Sequence, residues 1–167
     1  MVISSARLMK RASKEGYAIP AFNIDNLESA MAVSEIMHEM RLPVIVQMIP
    51  RTLNYGGVAI YPAMMRELMA DCPVDYALHL DHGNSLALAQ RCIASGFSSV
   101  MYDGSAMNFE DNVKYTKEVT DYALPMDVSV EGELGTIGGK EEGDTDLEAS
   151  YTSVSEAEAF VRRTNVS

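Results

Sequence analysis

The chain has 167 residues, 47% of them hydrophobic and 22% charged, a composition typical of a folded globular protein. Its formal net charge of −11 argues against binding to nucleic acid or to anionic membrane surfaces, because both repel an acidic protein. No apolar run approaches the roughly 20 residues that span a bilayer, and the two cysteines form no motif, so we expect a cytoplasmic protein without a membrane partner.

Five short apolar runs succeed one another along the chain, each followed by a stretch with helical spacing. This alternation predicts an α/β fold with a parallel sheet, and residues 1–167 contain no linker that would divide them into separate domains. After the second run we expect a loop before the next helical stretch. The predicted strands are YAIPAFNI (17–24), PVIVQM (43–48), DYALHL (75–80), FSSVMY (97–102) and DVSVEGEL (127–134).

Polar side chains stand at the end of every predicted strand. In a parallel sheet the carboxyl ends of all strands share one edge, and catalytic groups gather at that edge in barrels and open sheets alike. A single residue of this kind could be a cap, but repetition at each strand predicts a common polar cavity. The residues are Asn23, Gln47, Asp81 with His82, Asp103, and Glu131 with Glu133.

The carboxylates in this set predict a metal site. Glu131 and Glu133 are two positions apart, so on one strand they would face the same side. Crowded carboxylates repel one another and are costly to desolvate, and a divalent cation relieves both effects. A nearby histidine makes the ligand set suitable for zinc. Because His82 falls just past the strand, Asp81 and His82 can divide the work, one holding metal and the other moving a proton.

Each candidate also has an interpretation without catalysis. Asp81 and His82 could form a strand-end cap with a hydrogen-bonded histidine. Asp103 could begin a turn, since aspartate is favoured there, and Asn23 could be a turn residue as well. We interpret His79 as a buried, hydrogen-bonded neighbour of the site.

Five stretches together resemble the class II, metal-dependent family of ketose-bisphosphate aldolases, which cleave fructose or tagatose 1,6-bisphosphate. They are AIPAFNIDNLE, PVIVQ, HLDHG, GFSSVMYDGSAMNFEDNVKYTKEV and SVEGELGTIGGKEEG, and they follow family order over nearly the whole chain. PVIVQ alone is unspecific, whereas HLDHG, SVMYDGS and EGELG in combination are specific. The resemblance implies a (β/α)8 TIM barrel of about 250 residues or more, of which this chain supplies the first five βα units.

The resemblance also implies a metal site and its ligands. His82 of HLDHG would be a ligand of a catalytic Zn2+. Asp103 of MYDGS and Glu133 of GELG would bind metal at a second or alternative site, where another divalent or a monovalent cation is an option. The zinc would act as a Lewis acid on the oxygens of the substrate, in place of the lysine Schiff base of other aldolases.

Three further residues acquire roles in proton transfer and substrate binding from the same resemblance. Asp81 would give a proton to the aldehyde oxygen in condensation and accept the hydroxyl proton in cleavage. Glu141, in the glycine-rich GGKEEG segment, would take the substrate proton when the enediolate forms, although an acidic run of this kind is ordinarily a solvated surface segment. Asn23 would contact the substrate, a phosphorylated sugar, and the family implies a homo-oligomer.

Two departures from the family pattern bear on function. Ile49 follows the second strand where many members have a small hydroxyl residue, so fructose and tagatose bisphosphate stay as alternatives. The chain ends at RRTNVS, where a sixth strand should begin, and we expect a single partial-barrel domain truncated before that strand and inactive by itself. The rival hypothesis is a non-catalytic partial barrel, a pseudoenzyme or interaction module that has kept the motifs.

Overall fold

The computed structural model describes residues 1–135 and 151–167. Strands and helices alternate within these ranges. The strands are β1 (Ala21–Asn23), β2 (Val44–Met48), β3 (Tyr76–Gly83), β4 (Ser99–Tyr102) and β5 (Ser129–Gly132). The α-helices are α1 (Ser5–Glu15), α2 (Leu27–Met40), α3 (Pro50–Gly56), α4 (Ile60–Leu68), α5 (Leu86–Ser95), α6 (Phe109–Ala123) and α7 (Val154–Thr164), and a short 3-10 helix spans Leu124–Met126.

The five strands form one parallel sheet in which each strand pairs with its successor in the chain. The prediction of consecutive βα units is therefore confirmed. One row of Cα partners crosses the sheet from Asn23 through Gln47, His79 and Ser99 to Ser129. Because parallel strands all end on the same side, this register brings the polar strand ends to one edge.

The two faces of the sheet differ in polarity. On the outer face, Val46, Leu78, Leu80 and Val100 are fully buried and belong to the core beneath the helices. Side chains alternate between faces along a strand, so the residues between them point inward. Full burial of an aliphatic side chain contributes about 1.5–3 kcal/mol, and this packing is the rigid base on which the strand ends stand.

Helices α2 and α7 begin after the N-cap residues Asn26 and Ser153. The Asn26 side chain accepts a hydrogen bond from the backbone N–H of Ser29 at 2.9 Å, and the Ser153 hydroxyl accepts one from Glu156 at 3.2 Å. A cap of this kind contributes about 1 kcal/mol. At its other end α7 is joined to α6 by two charged hydrogen bonds from Arg163 to Glu110, at 2.8 and 2.6 Å.

The structure departs from the sequence prediction at several places. Residues 5–15 form α1, which the apolar-run pattern did not predict, and α3 occupies the segment predicted as a loop after β2. Strand β1 has only three residues, and β5 ends at Gly132, so Glu133 lies beyond the strand. No helix within the described ranges is both long and apolar enough to cross a membrane.

Candidate active site

Three residues predicted as metal ligands lie together at the carboxyl edge of the sheet. The Nδ1 nitrogen of His82 donates to Oδ2 of Asp103 at 2.8 Å and lies 3.6 Å from Oε2 of Glu133. One ligand atom from each of the three lies within 4.8 Å of the others. An imidazole and two carboxylates from three different strand ends thus face a single point.

The backbone at the end of β3 explains how His82 reaches this position. The pairing of β3 with β4 shifts between Leu80 and Gly83, and His82 has φ of 48°, a left-handed conformation that few residues other than glycine adopt. Gly83 follows, and a Cβ there would overlap the carbonyl oxygen of Met101. The bulge turns the imidazole of His82 toward β4 and β5 and away from the direction of Asp81.

Hydrogen bonds hold the carboxylate of Asp103 in place. Its Oδ1 accepts from the backbone N–H of Ser105 at 3.0 Å and from the Ser105 hydroxyl at 2.7 Å, while Oδ2 accepts from His82. Partial burial raises the pKa of Asp103, but the bonds from His82 and Ser105 outweigh burial, and the net pKa lies below the usual value. Asp103 is therefore an ionised, preoriented oxygen ligand near neutral pH.

The electrostatics of the cluster favour a cation. Burial lowers the pKa of His82, but the hydrogen bond to Asp103 and the charges of Asp81, Asp103 and Glu133 outweigh it, so the net pKa is raised. The shared proton compensates the carboxylate charges. One ligand atom from each of the three side chains lies within 4.8 Å of the others, and an imidazole with two carboxylates is a donor set that zinc takes. The donor set fits a divalent cation.

Asp81 belongs to a second cluster, formed with the amide side chains of β1 and β2. The Nε2 group of Gln47 donates to Oδ1 of Asn23 and to Oδ2 of Asp81, both at 2.8 Å, and Asn23 Nδ2 lies 3.5 Å from the same Asp81 oxygen. The other carboxylate oxygen, Oδ1, faces His82 Nε2 at 3.9 Å. Asp81 and His82 are adjacent in sequence but enter different clusters, and Gln47 connects two predicted site residues.

Glu131 and Glu133 separate, because β5 ends between them. Glu131 Oε2 lies 3.6 Å from Nε2 of His79, whereas Glu133 lies beside His82. His79 is buried, as predicted, and bonds through Nδ1 to the Ser99 hydroxyl at 2.7 Å. Burial lowers the pKa of His79 to about 4, whereas partial desolvation and the charge of Asp81 raise the pKa of Glu131, whose side chain is 58% exposed. The expectation that the two glutamates face the same side of one strand is therefore replaced by two separate contacts.

One predicted catalytic residue, Glu141, lies outside the described residues, together with the GGKEEG segment around it. Sequence reasoning placed Gln47 among the polar strand ends without a chemical role and did not single out Ser105, although both bond directly to predicted site residues. Gln47 carried a signal, because it stands near a strand end. The sequence DGS also carried a signal for Ser105, because a residue two positions after an aspartate commonly bonds to the aspartate side chain in a turn.

Comparisons with known proteins identify the family of the chain. The family described as "Fructose-bisphosphate aldolase class-II" matches residues 3–167. A fructose-bisphosphate aldolase of Treponema pallidum (strain Nichols) is 41% identical over 99% of this chain, which spans about half of that relative, 52% of its length.

Solved structures give the same result. The YdjI aldolase of Escherichia coli K12 superposes with a TM-score of 0.86 at 30% identity, over 99% of this chain and 60% of that one. A fructose-bisphosphate aldolase of Campylobacter jejuni shares the fold, with a TM-score of 0.79 at 24% identity over 98% of this chain and 55% of that one. The five-stranded sheet thus corresponds to part of a TIM barrel, and the chain belongs to the class II fructose-bisphosphate aldolase family.

Proposed function

We propose that the protein catalyses the reversible, zinc-dependent aldol cleavage of a ketose 1,6-bisphosphate, with fructose 1,6-bisphosphate as the first substrate to test. The products would be dihydroxyacetone phosphate and glyceraldehyde 3-phosphate. The observation that supports this best is the His82, Asp103 and Glu133 cluster, which lies beside Asp81 in a chain of this family. A metal site adjacent to a separately held carboxylate is an arrangement that can perform metal-dependent aldol chemistry.

Within this proposal His82, Asp103 and Glu133 hold the metal. When bound, a divalent cation supplies Lewis-acid stabilisation of the negative charge that develops on substrate oxygens. Zinc is the proposed ion because an imidazole with carboxylates suits it, and a second divalent or a monovalent cation could share the carboxylates. Ser105 keeps Asp103 oriented, which is the usual role of outer partners around a metal ligand.

Asp81 is the proposed acid–base residue for the hydroxyl that becomes the aldehyde. Gln47 holds Oδ2 of Asp81 at 2.8 Å, so Oδ1 is the oxygen available to accept the hydroxyl proton in cleavage and to return it in condensation. Asn23, fixed by the same Gln47 amide, is the proposed contact with the substrate. Glu141 is proposed to take a proton from the substrate carbon that becomes negatively charged when the enediolate forms.

The length of the relatives bears on the whole protein. The chain covers 52% of the Treponema relative and 60% of the YdjI aldolase. We propose that residues 1–167 form one partial-barrel domain of a cytoplasmic, homo-oligomeric enzyme, and that the 167-residue chain alone is inactive. The same partial coverage favours the rival function, a non-catalytic partial barrel. Ile49 keeps tagatose 1,6-bisphosphate as the alternative substrate.

The test combines zinc titration with an aldol-cleavage assay. Zinc is titrated into the metal-free 167-residue chain by calorimetry, and the longest product of its gene is assayed with fructose and tagatose 1,6-bisphosphate. We expect zinc-dependent release of triose phosphate from the gene product and faster turnover of the fructose substrate. Faster turnover of tagatose 1,6-bisphosphate would reassign the substrate. No turnover of either by the zinc-loaded gene product would support the non-catalytic barrel.

A further inference from the structure

A row of buried polar side chains lies below the site on the inner face of the sheet. His79, Ser99 and Ser129 are Cα partners on β3, β4 and β5, and each is at most 4% exposed. Barrel interiors are dominated by bulky branched side chains, so small hydroxyl residues at this position are unusual. Ser5, the first residue of α1, reaches between β4 and β5 to join them.

The row forms a continuous path from α1 to the site. The Ser5 hydroxyl lies 2.9 Å from that of Ser129 and 2.8 Å from that of Ser99, which lies 2.7 Å from Nδ1 of His79. Nε2 of His79 then faces Glu131 Oε2 at 3.6 Å. Among the described residues no buried side-chain nitrogen or oxygen lacks a partner, and a fully bonded polar network in a core fixes one arrangement.

The chemistry of the groups gives the path a direction. His79 is neutral near pH 7, because burial lowers its pKa to about 4, and a neutral imidazole has one donor and one acceptor. The Glu131 carboxylate, 3.6 Å from Nε2, only accepts, so its charge favours a ring proton on Nε2 over a lone pair there. Nδ1 then accepts from the Ser99 hydroxyl, which in turn accepts from Ser5. The Ser129 hydroxyl lies 2.9 Å from that of Ser5 and 3.4 Å from the Ser98 carbonyl oxygen, to which it can donate.

We propose that Ser99 and His79 are positioning residues for Glu131, whose carboxylate accepts a hydrogen bond from a hydroxyl of the bound sugar. This inference rests on the proposed aldolase function. Glu131 lies two residues beyond Ser129 on β5, as Asp81 lies two residues beyond His79 on β3, so both carboxylates stand one step above the buried row. The Glu131 side chain is 58% exposed and lies within electrostatic range of Asp81, so a polyhydroxylated substrate beside Asp81 can offer it a donor.

Ser129 provides a matched control within the same row. It is the same residue type as Ser99, it is buried to a similar extent, and it bonds to the same Ser5 hydroxyl. Unlike Ser99, it is not bonded to His79. A purely structural row predicts similar consequences for Ser99→Ala and Ser129→Ala, whereas a positioning role predicts that they differ in turnover.

The kinetic experiment compares these variants with changes at His79 and Glu131. We expect Ser99→Ala, His79→Asn and Glu131→Gln each to lower kcat about 10-fold, as loss of an orienting partner does, with KM affected less and zinc content unchanged. Ser129→Ala should retain the wild-type kcat. The double variant His79→Asn/Glu131→Gln should be no slower than either single variant, because both remove one interaction. Equal kcat values for Ser99→Ala and Ser129→Ala would overturn the proposal, as would additive losses in the double variant.

A spectroscopic experiment on the 167-residue chain does not depend on turnover. The chain has three histidines, so nitrogen-15 NMR can resolve each imidazole. We expect His79 as the Nε2-protonated tautomer, altered by Ser99→Ala and unaffected by Ser129→Ala. An Nδ1-protonated ring, or equal responses to the two variants, would overturn the positioning role. An inactive wild-type enzyme whose His79 shows the expected tautomer and responses would count against the proposed function and not against the positioning of His79.

Discussion

The two histidines of HLDHG lie three residues apart on one strand, and the protein treats them in opposite ways. His82 is 41% exposed at the sheet edge, and its pKa is raised because neighbouring carboxylates and a hydrogen bond outweigh burial. His79 is buried among serine hydroxyls, and burial lowers its pKa to about 4. The upper region, which contains Asp81, His82, Asp103 and Glu133 at the sheet edge, collects charge that solvent or a cation can compensate. The lower region, which contains His79 and the hydroxyls of Ser5, Ser99 and Ser129, holds neutral polar groups.

This difference teaches that a motif can contain two unlike environments. Asp81 and His82 are neighbours in sequence, yet the bulge before Gly83 directs one toward Gln47 and the other toward Asp103. The chemistry of HLDHG therefore divides by backbone geometry rather than by residue type. Four predictions, ordered from the largest expected effect to the smallest, test this division.

The largest effect is expected from His82→Ala in the upper region. Loss of the only imidazole in the cluster should weaken zinc binding by more than the roughly 100-fold that outer partners contribute, and turnover should fall accordingly. Calorimetric zinc titration measures the first effect and the cleavage assay the second. His38→Ala is the control, since His38 lies on α2 and bonds to the carbonyl of Leu68. An equal loss of zinc binding in His82→Ala and His38→Ala would show that the metal does not bind at this edge of the sheet.

Asp81→Asn should separate proton transfer from metal binding. We expect kcat to fall about 100- to 10,000-fold, the range for a general acid or base, because an amide cannot accept the hydroxyl proton. Zinc content should stay at the wild-type level, because Asp81 is held by Gln47 and not by the metal cluster. Elemental analysis of the purified variant decides the point. A zinc-free Asp81→Asn protein would show that Asp81 and His82 have exchanged roles.

The lower region should make stability depend on pH. The pKa of His79 is about 4 when folded and about 6.5 when unfolded, so between these values the unfolded chain binds more protons. Stability from this group is present above pH 6.5 and falls by up to roughly 3 kcal/mol as the pH drops toward 4, at 1.36 kcal/mol per pKa unit. Urea unfolding at pH 7 and pH 4.5 measures the loss.

His79→Gln should remove this part of the pH dependence, whereas the carboxylates titrate alike in both proteins. An unchanged slope in His79→Gln would mean that the pKa of His79 is the same in the folded and unfolded states, contrary to its burial.

The smallest effect is expected at the boundary between the clusters. Gln47→Met keeps the side-chain length but removes the bonds to Asn23 and Asp81, so kcat should fall about 10-fold with zinc content unchanged. Gln90→Met on α5 is the matched control and should leave kcat and zinc content unchanged. Wild-type kcat in Gln47→Met would show that Asp81 does not need its amide partner.

Much of the upper region could be predicted from sequence, and the reason is geometric. A parallel sheet brings its strand ends together whatever the register, so Asp103 and Glu133 could be placed near His82 from their positions alone. The split of Asp81 from His82 depends on the positive φ of His82, which the sequence did not predict; it placed His82 just past the strand, whereas β3 runs to Gly83.

The lower region could not be predicted. Ser5, Ser99 and Ser129 are ordinary residues in sequence, and their contact joins positions 94 and 124 apart. Helix α1 carried a usable signal, since Gly16 ends it in a left-handed conformation. The pattern of a strand followed by a helix did not predict α1, because α1 precedes the first such unit.

The strand order has a consequence for how the chain folds during synthesis. Because β1 to β5 lie side by side in the order in which they leave the ribosome, each βα unit can add to a sheet that already exists, with short loops to close. Helix α1 packs against β3, which is made before β4 and β5, but Ser5 can bond to Ser129 only after β5 has been added. The layer of hydroxyl groups beneath the site is therefore complete only when all five strands are in place.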